Sequence, residues 1–330
     1  MNRWPMTDSQ RVQADDDDLN DEGAPRYGLN LLLFVLTALS VFWTGAALRD
    51  ASLGDSLDPR RLLEIWRGWP FAVPLLAILI AHESGHYIAA RIHNVPASLP
   101  FFIPLPKLSP FGTMGAIIGM SGRIRSRIAL LDIGAAGPLA GMVVALPVLA
   151  FGLSWSQVAP NPEHYWQEGQ SLLYLLMKRI FVGPIPDGED VQLHPTANAG
   201  WVGLLITMIN MLPWGQLDGG HIAYALLGER QNALARWVRT SLLVLFFYNV
   251  TKFCLPVLLH KSSQSLGYAL STSLFWLMWF GVTGIIGYVS GGADHPPFEP
   301  GELGKGRRAV AWLCLLMFVL LFMPTPQAVY

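Results

Sequence analysis

The sequence predicts an all-α polytopic membrane protein, on three observations. Of its 330 residues, 52% are hydrophobic and only 14% charged, well outside the usage of soluble domains. Six apolar stretches, near residues 28–48, 69–92, 128–152, 197–220, 237–259 and 267–290, have the roughly 20 residues needed to cross about 30 Å of hydrocarbon. A shorter one at 308–324 brings the expectation to six or seven transmembrane helices. Lys and Arg gather at the ends of these stretches, where charge can reach water.

The first 27 residues are polar, carry "DDDD" at 15–18, and lack the basic, apolar and small-residue zones of a signal peptide. They are expected to form a disordered acidic cytoplasmic tail ahead of one transmembrane domain over 28–325. Assigning the 22 Lys and Arg residues to alternate sides places 14 on the side of the tail and 8 on the other. That excess predicts a cytoplasmic N-terminus. Because the tail is unlike an Arg-rich, acid-poor transit peptide, a bacterial cytoplasmic membrane is the expected location. A net charge of −1 with no basic run gives no reason to expect nucleic-acid binding. Cys254 and Cys314 lie inside apolar stretches and form neither a disulfide framework nor a thiolate metal site.

The second stretch breaks its own pattern with "AHESGHYIAA". Three ionisable side chains within five residues, each costing about 2.5–3.5 kcal/mol at the centre of a span, need a compensating partner. His82 and His86 are four apart and share one helix face, so both imidazoles can point at one ion. Glu83 can reach a water on that ion without being a ligand. This is the H-E-x-x-H arrangement in which zinc acidifies a water and a glutamate takes its proton. Two histidines and a water leave tetrahedral zinc one ligand short. His93 lies about 10 Å further along the axis, and Ala89 and Ile92 stand where a metzincin needs glycine and histidine.

After the second stretch, "SLPFFIPLPKLSPFGTMGAIIGM" is too rich in Pro and Gly for a helix and strand-like in pieces. It is expected to form a membrane-associated hairpin or a re-entrant loop. As a hairpin it would offer an edge to an extended peptide. In the third stretch Gly137 and Gly141 form a small-xxx-small pair that lets a neighbouring helix approach closely. The 153–196 connection holds an amphipathic patch, "SLLYLLMKRIF", suited to the membrane surface or to gating the outer face. The fourth stretch contains "NMLPWGQLDGGH" at 210–221, which brings Asp218 to the depth of the histidines. Asp218 could instead pair with His221 three residues on, and His221 could compete for the metal. Pro213 removes a backbone donor and opens the helix, Gly219 and Gly220 permit close approach, and irregular backbone at this depth is tolerable only around a polar cavity.

"AHESGHYIAA" together with "INMLPWGQLDGGHIAYALLG" resembles the site-2 protease family of intramembrane zinc metalloproteases, whose signatures are H-E-x-x-H and N-x-x-P-x-x-x-x-D-G. "FGTMGAIIGM" and "DIGAAGPLAG" also resemble that family's Gly-rich stretches, and "DHPP" at 294–297 with the final short span is similar to its plant and bacterial branch without a PDZ domain. The likeness covers about residues 70–325. It implies that His82, His86 and Asp218 hold Zn2+ and that Glu83 is the general base and acid. It also implies that Asn210 bonds substrate backbone or the developing oxyanion, and that Pro213 and Gly219 help position substrate. The function implied is an intramembrane zinc endopeptidase acting on peptide bonds in or near the transmembrane segments of other membrane proteins. A zinc transporter or sensor using the same ligands, or an inactive member of the family, are the alternatives. His93 and His194 are read as interfacial or solvated side chains.

Overall fold

The computed structural model describes residues 27–50, 64–120, 124, 126–161, 165–260, 264–289 and 301–329. The acidic tail up to residue 26 and "DHPP" lie outside the described residues. Helix α1 (Tyr27–Arg49) is followed by a single 3-10 turn at Ile65–Gly68 that runs into α2 (Trp69–Ile92). Pro70 stands in the first turn of α2, where its missing N–H has no helical partner to lose. Helix α3 (Arg127–Ser154) begins at Ser126, whose hydroxyl accepts the Ala129 N–H.

Between α2 and α3 the Pro- and Gly-rich segment forms an antiparallel pair, β1 (Phe101–Pro104) with β2 (Thr113–Ile117), Phe101 opposite Ile117. It leans on α1. Asn30 Nδ2 donates to the carbonyls of Leu99 and Pro100 at 3.0 and 3.1 Å, and the Phe34 and Phe102 rings meet edge to face at 5.1 Å.

The 153–196 connection holds more structure than its amphipathic patch suggested. Strand β3 (Gln157–Pro160) pairs with β5 (Glu189–Gln192), and β4 (Trp166–Glu168) pairs with the C-terminal β6 (Gln327–Val329). Helix α4 (Leu172–Phe181) lies between them, capped by Ser171.

The stretch expected as a fourth span is two helices. Helix α5 (Pro195–Asn210) stops three residues before Pro213, residues 211–217 turn, and α6 (Asp218–Leu227) begins on Asp218. Helix α7 (Arg230–Asn249) continues through a π-turn at Val250–Cys254 into α8 (Leu255–Leu258). Helices α9 (Leu266–Val289) and α10 (Lys305–Leu321) complete the bundle. Among the described residues five helical segments are long and apolar enough to cross a bilayer: Tyr27–Arg49, Ile65–Ile92, Arg127–Ser154, Arg230–Leu258 and Leu266–Val289. The fold is therefore all-α and polytopic; the broken α5–α6 stretch is not among these five, and α10, at 17 residues, is short.

Helices α2, α3 and α5 form the centre, where Leu75, Leu149, Trp201 and Leu204 are wholly buried. Lipid tails are as apolar as leucine, so close van der Waals packing has to hold such helices together. A side chain at Gly152 would strike the backbone of Ala197, and one at Gly200 would lie 2.7 Å from Leu149 Cα. At the far end, Arg127 donates to the carbonyls of Ala225 (2.6 Å) and Leu226 (3.2 Å), capping the last turn of α6.

Candidate metal centre

Helix α2 presents His82 and His86 on the face turned toward α3 and the α5–α6 break. His82 Nε2 and His86 Nε2 are 3.1 Å apart. Asp218 faces both, with Oδ2 3.3 Å from His82 Nε2 and Oδ1 3.3 Å from His86 Nε2. Both imidazoles are buried and Asp218 is half-buried.

The break between α5 and α6 makes this possible. In a continuous helix, eight residues would set Asn210 and Asp218 about 12 Å apart along the axis. Instead the chain turns over 211–217, and Asn210 Nδ2 lies 3.3 Å from His82 Nε2 while Asp218 closes the same cluster. Asp218 is also the first residue of α6, where the positive end of the helix dipole favours a carboxylate. A side chain at Gly219 would collide with the Met211 carbonyl, and one at Gly220 with the Gly215 carbonyl, so both glycines are required by the turn itself. The Pro213 carbonyl accepts from Gln231 Nε2 at 3.3 Å; this proline serves the turn and its anchorage to α7.

The orientation of His86 is fixed from behind. Its Nδ1 lies 2.8 Å from the Ile133 carbonyl, which can only accept, so Nδ1 carries the proton and Nε2 keeps its lone pair for the cluster. Gly137, on the next turn of α3, explains how the ring fits. An added Cβ there would overlap the imidazole of His86, and one at Gly141 would lie 3.3 Å from His82. The small-xxx-small pair of the sequence is thus the seat of the two histidines. Glu83 is buried at the same place, within electrostatic range of His82, His86 and Asp218.

The donor set fits zinc. Tetrahedral Zn2+ with bonds of about 2.0–2.1 Å separates its ligand atoms by about 3.4 Å; here the two Nε2 atoms are 3.1 Å apart, Asp218 turns a different oxygen to each at 3.3 Å, and one ligand atom from each residue lies within 4.8 Å of the others. His221 stays out of the cluster and turns toward the Gln216 backbone. His93 pairs with Asp132 at 2.8 Å, and Asp132 also takes Arg307 at 2.8 Å, a three-helix ion cluster that no sequence motif announces. His194 caps α5, its Nδ1 accepting the Thr196 N–H at 3.2 Å.

Asn210 also lines a cavity of about 300 Å³ between the 105–114 loop, α5 and α9. Its walls are mostly apolar, with Leu108, Phe111, Ile209, Phe275 and Met278 among them. Gln327 of β6 contributes to its rim.

A polytopic helical membrane protein that gathers two buried histidines and a half-buried aspartate around one point, with a glutamate beside them, has a residue set that could hold a metal ion in the membrane. Residues 70–251, more than half of the chain, match the model of Peptidase family M50, and the chain belongs to that family. It is 34% identical over 226 residues to the probable zinc metalloprotease EGY1, chloroplastic, of Oryza sativa subsp. japonica, covering 62% of this chain and 38% of that protein. It is 36% identical over 172 residues to the Arabidopsis thaliana protein of the same name, covering 50% and 30%. To the probable zinc metalloprotease EGY2, chloroplastic, of Oryza sativa subsp. indica it is 30% identical over 201 residues, covering 59% and 36%. The chain thus spans about a third of the length of these relatives. No solved structure matches it.

The expectation of a bacterial cytoplasmic membrane with the N-terminus in the cytoplasm is overturned, because these relatives are named as chloroplast proteins of plants. The physical reason is simple. A Lys and Arg count separates the two faces of a bilayer, but every bilayer makes the same hydrophobic demand on the helices that cross it.

Proposed function

We propose that this chain is an intramembrane zinc endopeptidase that hydrolyses peptide bonds in or near the transmembrane segments of membrane-protein substrates. The observation that carries the reading is the convergence of His82, His86 and Asp218, with contacts of 3.1–3.3 Å, beside Glu83 and next to Asn210, which also lines an apolar cavity. In this reading the two Nε2 atoms and the Asp218 carboxylate would hold Zn2+, which when bound would supply polarisation of the scissile carbonyl and acidify water. Glu83 would be the proton carrier, general base and then general acid, its carboxylate oxygen passing a proton to the leaving amide nitrogen. Asn210, shared by the cluster and the cavity wall, donates its amide to substrate backbone. Pro213 and Gly219 shape the turn that keeps Asn210 and Asp218 on the same site. A helical substrate must open first, because its carbonyls are occupied within the helix. The chloroplast names of the relatives support a chloroplast membrane as the setting.

The test uses the full chain, loaded with zinc in proteoliposomes, and a fluorescent transmembrane reporter. Glu83→Gln should abolish cleavage while bound zinc stays stoichiometric, and Asp218→Ala should lose both. Turnover by the metal-loaded Glu83 variant would exclude this mechanism. Unchanged zinc content in the Asp218 variant would exclude that ligand.

A further inference from the structure

Helix α4 is turned inside out relative to a surface helix of a soluble domain, which faces its charges to water and its apolar stripe to the core. Two of its polar side chains, Tyr174 and Lys178, point inward. Lys178 is 5% exposed and Tyr174 wholly buried. Lys178 Nζ lies 3.2 Å from Glu168 Oε1 and 2.8 Å from Asp190 Oδ1, and Tyr174 donates its hydroxyl to Glu168 at 2.7 Å. The opposite face carries Leu172, Leu175, Leu176 and Ile180, which are 48–62% exposed. Their spacing of three, four and eight residues makes one continuous stripe, and Arg179 is exposed next to it.

The same end of the molecule is ringed by exposed tryptophans: Trp66 and Trp69 at the start of α2, Trp155 at the end of α3 and Trp166 in β4. Indole rings concentrate where a membrane meets water, because one edge is apolar and the other donates a hydrogen bond. A ten-residue helix is too small to offer the roughly 800 Å² per partner of a stable protein interface.

We propose that α4 lies along the lipid headgroup boundary, with Leu172, Leu175, Leu176 and Ile180 in the acyl region, and seats this end of the protein at a fixed depth. The seat connects to the site. Glu168, held by Tyr174 and Lys178, belongs to β4; β4 pairs with β6; and Gln327 of β6 forms part of the cavity rim that also includes Asn210. The helix therefore sets the height of that rim relative to the bilayer.

Spin-label accessibility tests this in the full chain, with Cys254 and Cys314 replaced by alanine and the protein reconstituted in phosphatidylcholine nanodiscs. Labels at Leu176→Cys and Ile180→Cys should collide readily with oxygen and poorly with an aqueous nickel chelate, the inverse of a label at Asp187→Cys in the neighbouring exposed loop. Nickel collision as frequent as at position 187 would place the stripe in water. Exclusion of both reagents would show that protein, such as a second copy, covers it. Either result overturns the proposal.

Discussion

At the scale of single residues the site depends most on an atom that is absent. Gly137 has no Cβ, and the ring of His86 occupies the space one would fill, with its back held 2.8 Å from the Ile133 carbonyl. Gly137→Ala pits two effects against each other. Alanine gains roughly 1 kcal/mol of helix propensity, but overpacking beside a ring that cannot retreat costs about 1–3 kcal/mol. The collision should win. We expect bound zinc to fall several-fold by metal analysis and thermal stability to drop. Gly281→Ala in α9, where nothing lies within 4 Å of the added Cβ, should leave both unchanged or slightly raise stability. Equal zinc content in the two variants would show that α3 yields and that Gly137 is not the seat of His86.

At the scale of elements, the informative case is the hold of α4 on its neighbours. Burial works against charge on Asp190. The Lys178 ammonium, the Gln167 amide and the Val191 N–H together outweigh it and hold the carboxyl below its ordinary value of 3.8. A depressed carboxyl stabilises the fold fully above that ordinary value, and the contribution fades as pH falls through the folded value. Lys178→Met removes the cation shared by buried Glu168 and half-buried Asp190; breaking a fully buried pair typically costs about 3–5 kcal/mol, which bounds the loss from above. The melting temperature should fall sharply near neutral pH. Its pH dependence should also reverse: the parent should lose stability as pH falls below 3.8, because its Asp190 carboxyl is depressed, whereas acidification should raise the melting temperature of the variant, whose unpaired Asp190 carboxylate gains from protonation. Adding Glu168→Gln and Asp190→Asn should restore much of the loss. Thermal unfolding across that pH range reads all three effects.

At the scale of the whole molecule, the broken α5–α6 pair is expected to act as one crossing and so to preserve the alternation of ends. Helix α5 enters from the end that holds β3, β4 and β5, and α6 leaves beside the start of α3, where Arg127 caps it and also reaches the Gly301 carbonyl at 3.0 Å. Cysteines placed at Asp187 and at Glu302, both exposed, should therefore react with an impermeant thiol reagent from opposite sides of sealed proteoliposomes. Labelling from the same side would show that the α5–α6 pair turns back instead of crossing. The ion cluster of His93, Asp132 and Arg307 ties α2, α3 and α10 together at the Glu302 end. Because Arg307 is substantially exposed, that tie contributes on the order of 1 kcal/mol or less.

Much of this was legible in the chain because some patterns are local. Long apolar stretches can satisfy their backbone in lipid only as helices, and the four-residue spacing of His82 and His86 places both rings on one face whatever surrounds them. Pro213, Gly219 and Gly220 likewise announced a broken helix beside Asp218. Other features needed contacts between residues far apart in sequence. The three-residue pairing of β4 with β6 joins residues 159–163 positions apart, and Asp132 carries no motif that names His93 or Arg307 as its partners. The sequence by itself determined the membrane helices and the chemistry they carry, since both follow from side-chain type and helical period. Only the tertiary structure decided that Gly137 seats His86, that Asn210 and Asp218 meet across a turn, and that α4 faces its apolar stripe outward. Those outcomes are set by which surfaces come into contact, and a one-dimensional period does not specify contact.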